Sequence, residues 1–411
     1  MSNLKSHISR LRQSFGGQAN HKLLSIGYLL TIVFLFLYSF TQVDLNLTLS
    51  QFSLWQIAQK FLQQIGYFNR SLSVSFYVII VLLLFGFYAF FLYLASKNKI
   101  SKKQVWSITI ISTAILSFSY NAFSYDLFNY MFDAKIVTHY SQNPYLHKAL
   151  DYSSDPMLNF MRWTHRTYPY GPSWLFLTVP LSFIGSNFFL PTFFLFKFLS
   201  SLSFLGTAFY ISKILKKISP ENELFGLSLF VFNPLIVIET LVSSHNDMVM
   251  IFFGVLSLNL LVNKKYITSI LYLIFSIGIK FATVSLLPIF LYTLLAKNKS
   301  QISWVKLLND IIPLMAVSLI LVIMRTNFQP WYLLYMVSFT PLLQNRYQAL
   351  ILSTVFPFFA LLEYVPFLYR GDWNQPVPNI LFWLTTIGVA LSVVLLLGKP
   401  LFVKLFASNN K

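Results

Sequence analysis

Long apolar runs alternate with short polar segments along almost the whole chain. A helix of about 18 or more apolar residues can cross the hydrocarbon core of a bilayer, which is roughly 30 Å thick. Counting these runs, several of them short, predicts about 12 transmembrane helices. The predicted spans are 24–41, 74–95, 105–122, 187–213, 223–241, 248–262, 267–279, 281–296, 304–324, 333–343, 347–363 and 377–398. The predicted fold class is therefore all-α, a polytopic helical membrane protein with no soluble domain.

Two polar regions interrupt this pattern. The first, 42–72, contains FSLWQIAQKFLQQIGYF, whose apolar periodicity predicts an amphipathic helix lying at the membrane interface. The second, 123–186, is the longest polar region of the chain. The apolar piece within it, 174–185, is too short to cross a bilayer. We expect that piece to be a re-entrant or interfacial helix within a large outer loop.

The pattern predicts one integral membrane domain over residues 1–411, with three parts. Residues 1–104 form an N-terminal hairpin of spans, 105–343 a core that carries the distinctive polar motifs, and 344–411 the C-terminal spans. The N-terminus is basic and precedes an apolar run without a small-residue cleavage site. We therefore expect an uncleaved first span rather than a signal peptide.

Composition agrees with this prediction and gives the chain an orientation. The chain is 56% hydrophobic and 10% charged, its mean hydropathy is +0.65, its formal net charge is +18, and it has no Cys. In a membrane protein an excess of Lys and Arg marks cytoplasmic loops. The positive net charge is therefore explained by topology, and we expect no nucleic-acid partner. Without Cys there is no thiolate metal site. Placing the basic loops inside predicts a multi-pass plasma-membrane protein with both termini in the cytoplasm.

With this orientation, the isolated polar residues fall on the extracytoplasmic side. The residues are Asp126, Asp133, His165, Arg166, His245, Asn246, Asp247, Arg325 and Trp331. Asp126 follows a span, and a carboxylate shielded from water there can act as a general base. It can equally be an acid at a helix N-terminus, satisfied by backbone amides. Asp133 is two helical turns later, so it shares a face with Asp126 or belongs to a solvated surface.

Two further polar groups stand at the ends of apolar runs. His245, Asn246 and Asp247 occur together in SSHND, where they either serve a site or start the next helix as a cap. One His and one Asp are a weak signal for a metal, so no metal site is predicted. Lys280 interrupts a long apolar stretch, where it can hold a phosphate or extend its ammonium to the interface.

Aromatic, Pro-containing segments flank these groups. YPYGPSW begins at Tyr168, and FQPWYLLY contains Trp331 and Tyr332. Such residues form interfacial belts, or a wall on which a sugar stacks. The chain has no GxGxxG, P-loop, HExxH or CxxC pattern, which argues against a nucleotide site, and we expect no cofactor.

The order of motifs SYDLFNYMFDAK, NPY, YPYGPSW, NPLIVIE, SSHND, IKF and QPWY resembles the GT-C superfamily of membrane glycosyltransferases. Within it the pattern is most similar to bacterial mannosyltransferases that use polyprenyl-phosphate mannose. The resemblance covers about 120–335 in consistent order. It implies a helical membrane enzyme with an active site at the outer membrane face that inverts the anomeric carbon.

The resemblance also implies roles for individual residues. Asp126 matches the general base, and Asp133 matches a second acidic position of the same loop. The other matching or neighbouring polar residues are expected to bind donor or acceptor. They are His165, Arg166, Tyr168, His245, Asn246, Asp247, Lys280, Arg325, Trp331 and Tyr332. Among them Arg166, Lys280 and Arg325 are the cations that can stabilise a leaving phosphate.

The predicted function is transfer of a hexose, mannose by resemblance, from a polyprenyl-phosphate donor to a lipid-linked or cell-envelope glycan. The expected partners are that donor, a glycan or glycolipid acceptor, and the lipid bilayer. The alternative is a transporter or flippase of a lipid-linked glycan. A transporter places ionisable groups near the bilayer midplane, often on broken helices related by an internal repeat. No such repeat is evident in this sequence.

Overall fold

The computed structural model describes residues 22–407, and side chains as far as residue 398. The basic N-terminal stretch before the first span lies outside the described residues. The described part is all-helical, with 76% helix and no strands, which confirms the all-α class. One isolated antiparallel bridge joins Lys148 to Thr167.

Seventeen helices are numbered here in chain order over the described residues. They are α1 Lys22–Gln42, α2 Ser53–Gln63, α3 Arg70–Ser96, α4 Lys102–Leu116, α5 Asp126–Thr138, α6 Pro172–Ile184, α7 Phe189–Ile218, α8 Glu223–Val231, α9 Pro234–Val242, α10 Asp247–Val262, α11 Tyr266–Ile277, α12 Phe281–Leu295, α13 Trp304–Arg325, α14 Leu334–Val337, α15 Arg346–Leu362, α16 Tyr364–Arg370 and α17 Val377–Ala407.

Fewer helices than predicted are long and apolar enough to cross a membrane. Among the described residues there are six: α1, α3, α7, α13, the α15–α16 pair and α17. A seventh results if α8 and α9, which meet at a bend of 47°, count as one broken span. Helices α6, α10, α11 and α12 are apolar but shorter. The predicted count of about 12 is thus not confirmed.

The predicted span 333–343 is wrong. Short helical turns replace it, Pro330–Leu333, α14 and Thr340–Leu342, and all residues from Leu333 to Leu343 are buried. Pro341 has no N–H with which to continue α14, so the segment cannot form one unbroken helix. The hydropathy of this segment therefore reflects burial against other helices rather than contact with lipid.

The amphipathic helix predicted within 42–72 is present as α2. Leu54, Ile57 and Phe61 lie on one face and are each about two-thirds exposed. The opposite face is tied to the preceding loop, because Gln59 donates to the Leu47 carbonyl and Gln63 to the Val43 carbonyl. The helix thus presents an unpartnered apolar face, as an interfacial helix does. The apolar piece predicted at 174–185 is likewise a separate short helix, α6.

Basic loops meet at one end of the helix bundle. Lys102 at the start of α4 pairs with Glu223 at the start of α8. Lys217 at the end of α7 donates to the Val262 carbonyl at the end of α10. Arg346, which begins α15, donates to Asn222. The opposite end holds the N-termini of α5 and α10, where the polar residues predicted to be functional come together.

Candidate active site

Asp126 is the first residue of α5 and is only 8% exposed. Its own N–H donates to the Ser124 hydroxyl at 3.1 Å. Among the described residues no backbone amide donates to its carboxylate, and the α5 N-cap, Tyr125, makes no side-chain capping bond. The carboxylate therefore accepts no capping hydrogen bond from the helix. Its position at the helix N-terminus had suggested capping as an alternative role.

The segment leading into α10 is wound irregularly. Asn233 caps α9 by accepting from the N–H groups of Leu235 and Ile236. The helix then widens into a π-helical turn, Val237–Val242, and Ser244 follows with a positive φ of 56°. Wide turns and strained residues of this kind are frequent at functional sites. Here they turn the side chains of Glu239 and His245 toward each other.

His245 lies between two carboxylates. Its Nδ1 is 3.6 Å from Oδ2 of Asp126, and its Nε2 is 3.3 Å from Oε2 of Glu239. Its backbone N–H also donates to the Glu239 carbonyl at 3.1 Å. Neither ring nitrogen makes a hydrogen bond within the described residues, so the two carboxylates are close neighbours of the imidazole rather than bonded partners.

An aromatic ring covers His245. The indole of Trp331 stacks on the imidazole with centroids 4.2 Å apart and planes inclined by 18°. Trp331 sits on the short turn Pro330–Leu333 and is partly exposed, whereas His245 is fully buried. A Trp face attracts a cation and also offers a surface on which a sugar stacks. The two predicted site residues are thus in direct contact.

Glu239 is a site residue that sequence reasoning did not assign. Its side chain is fully buried, and its Oε1 accepts a hydrogen bond of 2.8 Å from the Tyr364 hydroxyl of α16. The signal was present in NPLIVIE, where this is the single acid in an apolar run. An ionisable residue in such a run is expensive and usually functional.

Asp247 and Lys280 form a second pair. The Lys280 ammonium donates to both carboxylate oxygens of Asp247, at 2.7 and 2.8 Å. Asp247 is fully buried, whereas the Lys280 side chain is 18% exposed. The rings of Tyr170 and Tyr332 lie 5.7 and 5.9 Å from the ammonium. Two of the three N–H donors of Lys280 are thus used, and the third remains for a ligand.

Lys280 is positioned by a backbone contact between two loops. It lies in the turn between α11 and α12, as predicted, just after Gly278. The Gly278 carbonyl accepts from the Ser173 N–H at 2.9 Å, and the Ile279 carbonyl accepts from the Gly171 N–H at 3.3 Å. A Cβ on Gly171 would stand 2.2 Å from the Gly278 oxygen. Only glycine permits this approach, which joins the start of α6 to the Lys280 turn.

Asn246 supports the same region. It precedes α10 at the N-cap position without making a side-chain capping bond, and its Oδ1 accepts from the Tyr130 hydroxyl at 3.3 Å. Tyr130 in turn contacts Tyr170 edge to face, with centroids 5.3 Å apart. Capping, one of the two roles that the sequence left open for this group, is therefore not made by the Asn246 side chain, which instead links α5 to α10.

Asp133 lies on α5, two turns after Asp126 as expected, and is partly buried. Burial raises the pKa of the Asp133 carboxyl to about 8; Arg166 opposes this change and Asp126 adds to it. Arg166 itself is exposed, with its guanidinium 5.4 Å from the centre of the Trp163 ring. These two predicted residues are electrostatically connected to the site but are not in contact with His245.

Three other predicted residues are not brought into this cluster. His165 is exposed, with its ring beside Trp163. The Tyr168 hydroxyl is buried and donates to the Gly171 carbonyl, which holds the loop before α6. Arg325 is exposed at the end of α13. For these residues a binding role stays a prediction from sequence.

Lys197 on α7 is a buried lysine that the sequence did not single out. Its side chain is fully buried, and its Nζ donates to the Ser119 hydroxyl and to the carbonyls of Leu241 and Val242. Those carbonyls end the π-helical turn that carries Glu239. Lys197 therefore fixes the segment from which His245 projects.

Within the described residues, no group of three or more His, Cys, Asp and Glu side chains is arranged to hold a metal ion.

Comparison with known proteins gives one finding. A family model described as Alpha-(1->6)-mannopyranosyltransferase, N-terminal domain, matches residues 31–297, which is 267 of the 411 residues. The matched region includes Asp126, Glu239, His245, Asp247 and Lys280. A search of curated proteins and a search of solved structures each gave no match.

Proposed function

The chain belongs to the alpha-(1->6)-mannopyranosyltransferase family, and from this premise we propose that it is an inverting glycosyltransferase that uses polyprenyl-phosphate mannose. The acceptor is a glycan or glycolipid of the cell envelope, and Asp126 is the general base. The apolar helices and the family both indicate a membrane-integral protein. The plasma membrane is the proposed location, with the site on its extracytoplasmic side.

The observation that carries the proposal is the row formed by Asp126, His245 and Glu239. Asp126 is the one member of the row with any exposure, since the other two side chains are completely buried. A base must reach the proton that it removes, so the exposed end of the row is the end that can meet an acceptor hydroxyl. His245 and Glu239 support it from behind and exclude water.

In the proposed transfer step, the proton and the electron pair each have an acceptor. The acceptor hydroxyl gives its proton to the Asp126 carboxylate while its oxygen forms a bond to the anomeric carbon. The bond from that carbon to the phosphate oxygen breaks, and its electron pair leaves with the polyprenyl phosphate. The free N–H of Lys280 is the donor proposed to stabilise this phosphate, because Asp247 holds its other two protons. Trp331 and Tyr332 are the proposed wall for the sugar.

The length of α10 supports the proposed side of the membrane. The helix has 16 residues, which corresponds to about 24 Å. Asp247 and the site lie at its N-terminal end, whereas Lys264 and Lys265 follow its C-terminal end, where the other basic loops meet. Basic loops mark the cytoplasmic side of membrane proteins, which supports the proposal of an extracytoplasmic site.

One experiment tests the activity. The purified protein in lipid nanodiscs is given radiolabelled polyprenyl-phosphate mannose with an α-1,6-oligomannoside acceptor, and product is measured. We expect transfer by the wild type and a fall of about 100-fold or more in Asp126→Asn. Asp151→Asn, which alters a half-exposed acid of the same outer loop, is the matched control and should keep wild-type activity. Full activity in Asp126→Asn would remove Asp126 as the base. No transfer from any lipid-phosphate sugar would favour the transporter.

A second experiment tests which side of the membrane the site faces. The chain has no Cys, so single cysteines can be labelled by a membrane-impermeant maleimide. Asn327→Cys, exposed near Trp331, should label in intact cells. Lys264→Cys, exposed beyond the end of α10, should label only after permeabilisation. The reverse pattern would place the site in the cytoplasm.

A further inference from the structure

A cleft opens at the basic end of the bundle, far from the candidate active site. It lies between α4 and α7, beside the start of α8, and its volume is about 430 Å³. Three lysines line it: Lys102, Lys213 and Lys216. The cleft is therefore large enough for a small polar group and carries the charge to attract an anion.

Only one of these lysines has a carboxylate partner. Lys102 forms an ion pair with Glu223, whose Oε1 also accepts from the Ser212 hydroxyl at 2.6 Å. The described residues contain no carboxylate paired with Lys213 or Lys216, and both are exposed. Lys216 also attracts Glu223 across the cleft without forming an ion pair. With three lysines and one glutamate, the cleft keeps an excess of positive charge at its rim.

The walls change from charged to apolar in the direction of the bundle centre. On α7, Lys216, Lys213 and Phe209 follow one another at helical spacing, and the Lys213 ammonium lies 4.4 Å from the centre of the Phe209 ring. On α4, Lys102 is followed one turn later by Trp106. Residues spaced by three or four positions share a helix face.

An exposed apolar track continues beyond the aromatic rings. Leu202, two turns before Phe209 on α7, is 67% exposed, and Ile110, one turn after Trp106 on α4, is 52% exposed. The sequence from rim to centre is therefore cation, aromatic ring, aliphatic side chain. A phospholipid has the same order, with a phosphate group, an ester region and acyl chains.

We propose that this cleft binds one anionic phospholipid, whose phosphodiester headgroup contacts Lys213 and Lys216 and whose acyl chains lie along Phe209 and Leu202. Basic pockets between transmembrane helices on the cytoplasmic side are known to take anionic lipid headgroups. A soluble phosphate ester offers the same charge but no acyl chains, so the apolar track favours the lipid. The site serves as a lipid anchor for the end of α7 and is separate from the proposed transfer reaction.

The test compares two double variants that lose the same charge. Lys213→Gln/Lys216→Gln removes the two lysines of the cleft that form no ion pair. Lys97→Gln/Lys103→Gln removes two exposed lysines from the same end of the molecule that do not line it. Each protein is titrated in neutral detergent with phosphatidylglycerol or with phosphatidylcholine of the same acyl chains, and bound lipid is counted by native mass spectrometry.

We expect the wild type to retain phosphatidylglycerol in preference to phosphatidylcholine. The cleft variant should bind phosphatidylglycerol about 30-fold more weakly, since each lysine near an anionic lipid contributes roughly a fivefold factor. The control variant should stay within about twofold of the wild type on the same scale. Phe209→Ala, which changes no charge, should also weaken retention.

Three outcomes would overturn the proposal. An equal loss in the control variant would show general electrostatic attraction rather than a site. Equal retention of phosphatidylcholine would show that the lysines do not select the headgroup. Competition by soluble glycerophosphoglycerol at the same concentration as the lipid would show a site for soluble phosphate esters. Circular dichroism of each variant establishes that it is folded.

Discussion

The Nε2 atom of His245 lies 3.3 Å from Oε2 of Glu239, and neither side chain is exposed to solvent. The contact joins a residue of the strained segment before α10 to the π-helical turn only six positions earlier in the chain. Glu239 also accepts a hydrogen bond from Tyr364 of α16. A helix distant in the sequence therefore helps to fix the carboxylate beside the imidazole. The accessible carboxylate at the other end of the row, Asp126, therefore has a rigid, water-free support.

Replacing Glu239 with Gln should lower kcat by about 100-fold, the scale of one lost electrostatic contact in an active site. The substitution keeps the shape but removes the charge that faces His245. Tyr364→Phe is the matched control, because it removes the other hydrogen bond of Glu239 and leaves its charge in place. We expect a much smaller fall in this control, measured with the same transfer assay. A wild-type kcat in Glu239→Gln would mean that Glu239 does not contribute to the reaction through His245.

Lys197→Met should lower kcat more than it changes the KM for the lipid-linked donor. Met has a similar length but no donors, so the Leu241 and Val242 carbonyls lose the N–H groups that hold them. The π-helical turn is then free to shift, and with it His245. Kinetics at varied donor concentration separate the two parameters, and Lys97→Met serves as a control on an exposed lysine. A change in KM alone would contradict a positioning role.

The Asp247–Lys280 pair should show strong coupling in a double-mutant cycle. Lys280→Met alone leaves a fully buried carboxylate without its cation, which costs about 3–5 kcal/mol of folding free energy. The double variant Lys280→Met/Asp247→Asn removes both charges, so we expect its thermal stability to recover most of that loss. Its transfer activity should stay low, because the donor for the phosphate is missing. Recovery of activity together with stability would assign the pair a purely structural role.

Stability should fall as the pH rises through the range in which Asp133 changes charge. Its pKa is about 8 in the folded protein and near 3.8 in an unfolded chain, so between these values the folded state binds a proton that the unfolded state does not. The ionised form is disfavoured by burial, and the cost grows from about pH 4 to about pH 8. Asp133→Asn mimics the neutral carboxyl.

As the pH rises from about 5 to about 8.5, the melting temperature of Asp133→Asn should therefore fall less than that of the wild type. Thermal unfolding in the same detergent measures the difference, and Asp151→Asn is the control in the same loop. An identical slope in Asp133→Asn and the wild type would mean that Asp133 does not contribute to the pH dependence.

Several contacts of the site follow from the sequence. Asp126, His245, Asp247 and Trp331 were predicted to lie at one membrane face, because hydropathy and basic loops fix which ends of the helices meet. They lie at one end of the helix bundle, and the membrane face itself stays a prediction. The amphipathic helix α2 was also predictable, since its apolar periodicity survives in isolation.

Other features depend on packing that hydropathy does not encode. Glu239 and Lys197 lie within apolar runs, and their partners are carbonyls and side chains on helices distant in sequence. The segment 333–343 is as apolar as a span but is buried in the protein, and a hydropathy scale gives burial and lipid contact the same value. The break within the predicted span 223–241 was also not predictable from hydropathy, because the bend at Asn233 is set by capping and not by loss of apolar character.

The backbone contact between Gly171 and Gly278 makes Lys280 sensitive to the thickness of the bilayer. Two hydrogen bonds without side chains tie its turn to the start of α6. The apolar residues Phe176 and Phe183 of α6 are each more than 70% exposed, so this short helix follows the lipid surface that surrounds it. We expect a membrane that thins or thickens to displace α6, and the ammonium proposed to receive the donor phosphate to move with it.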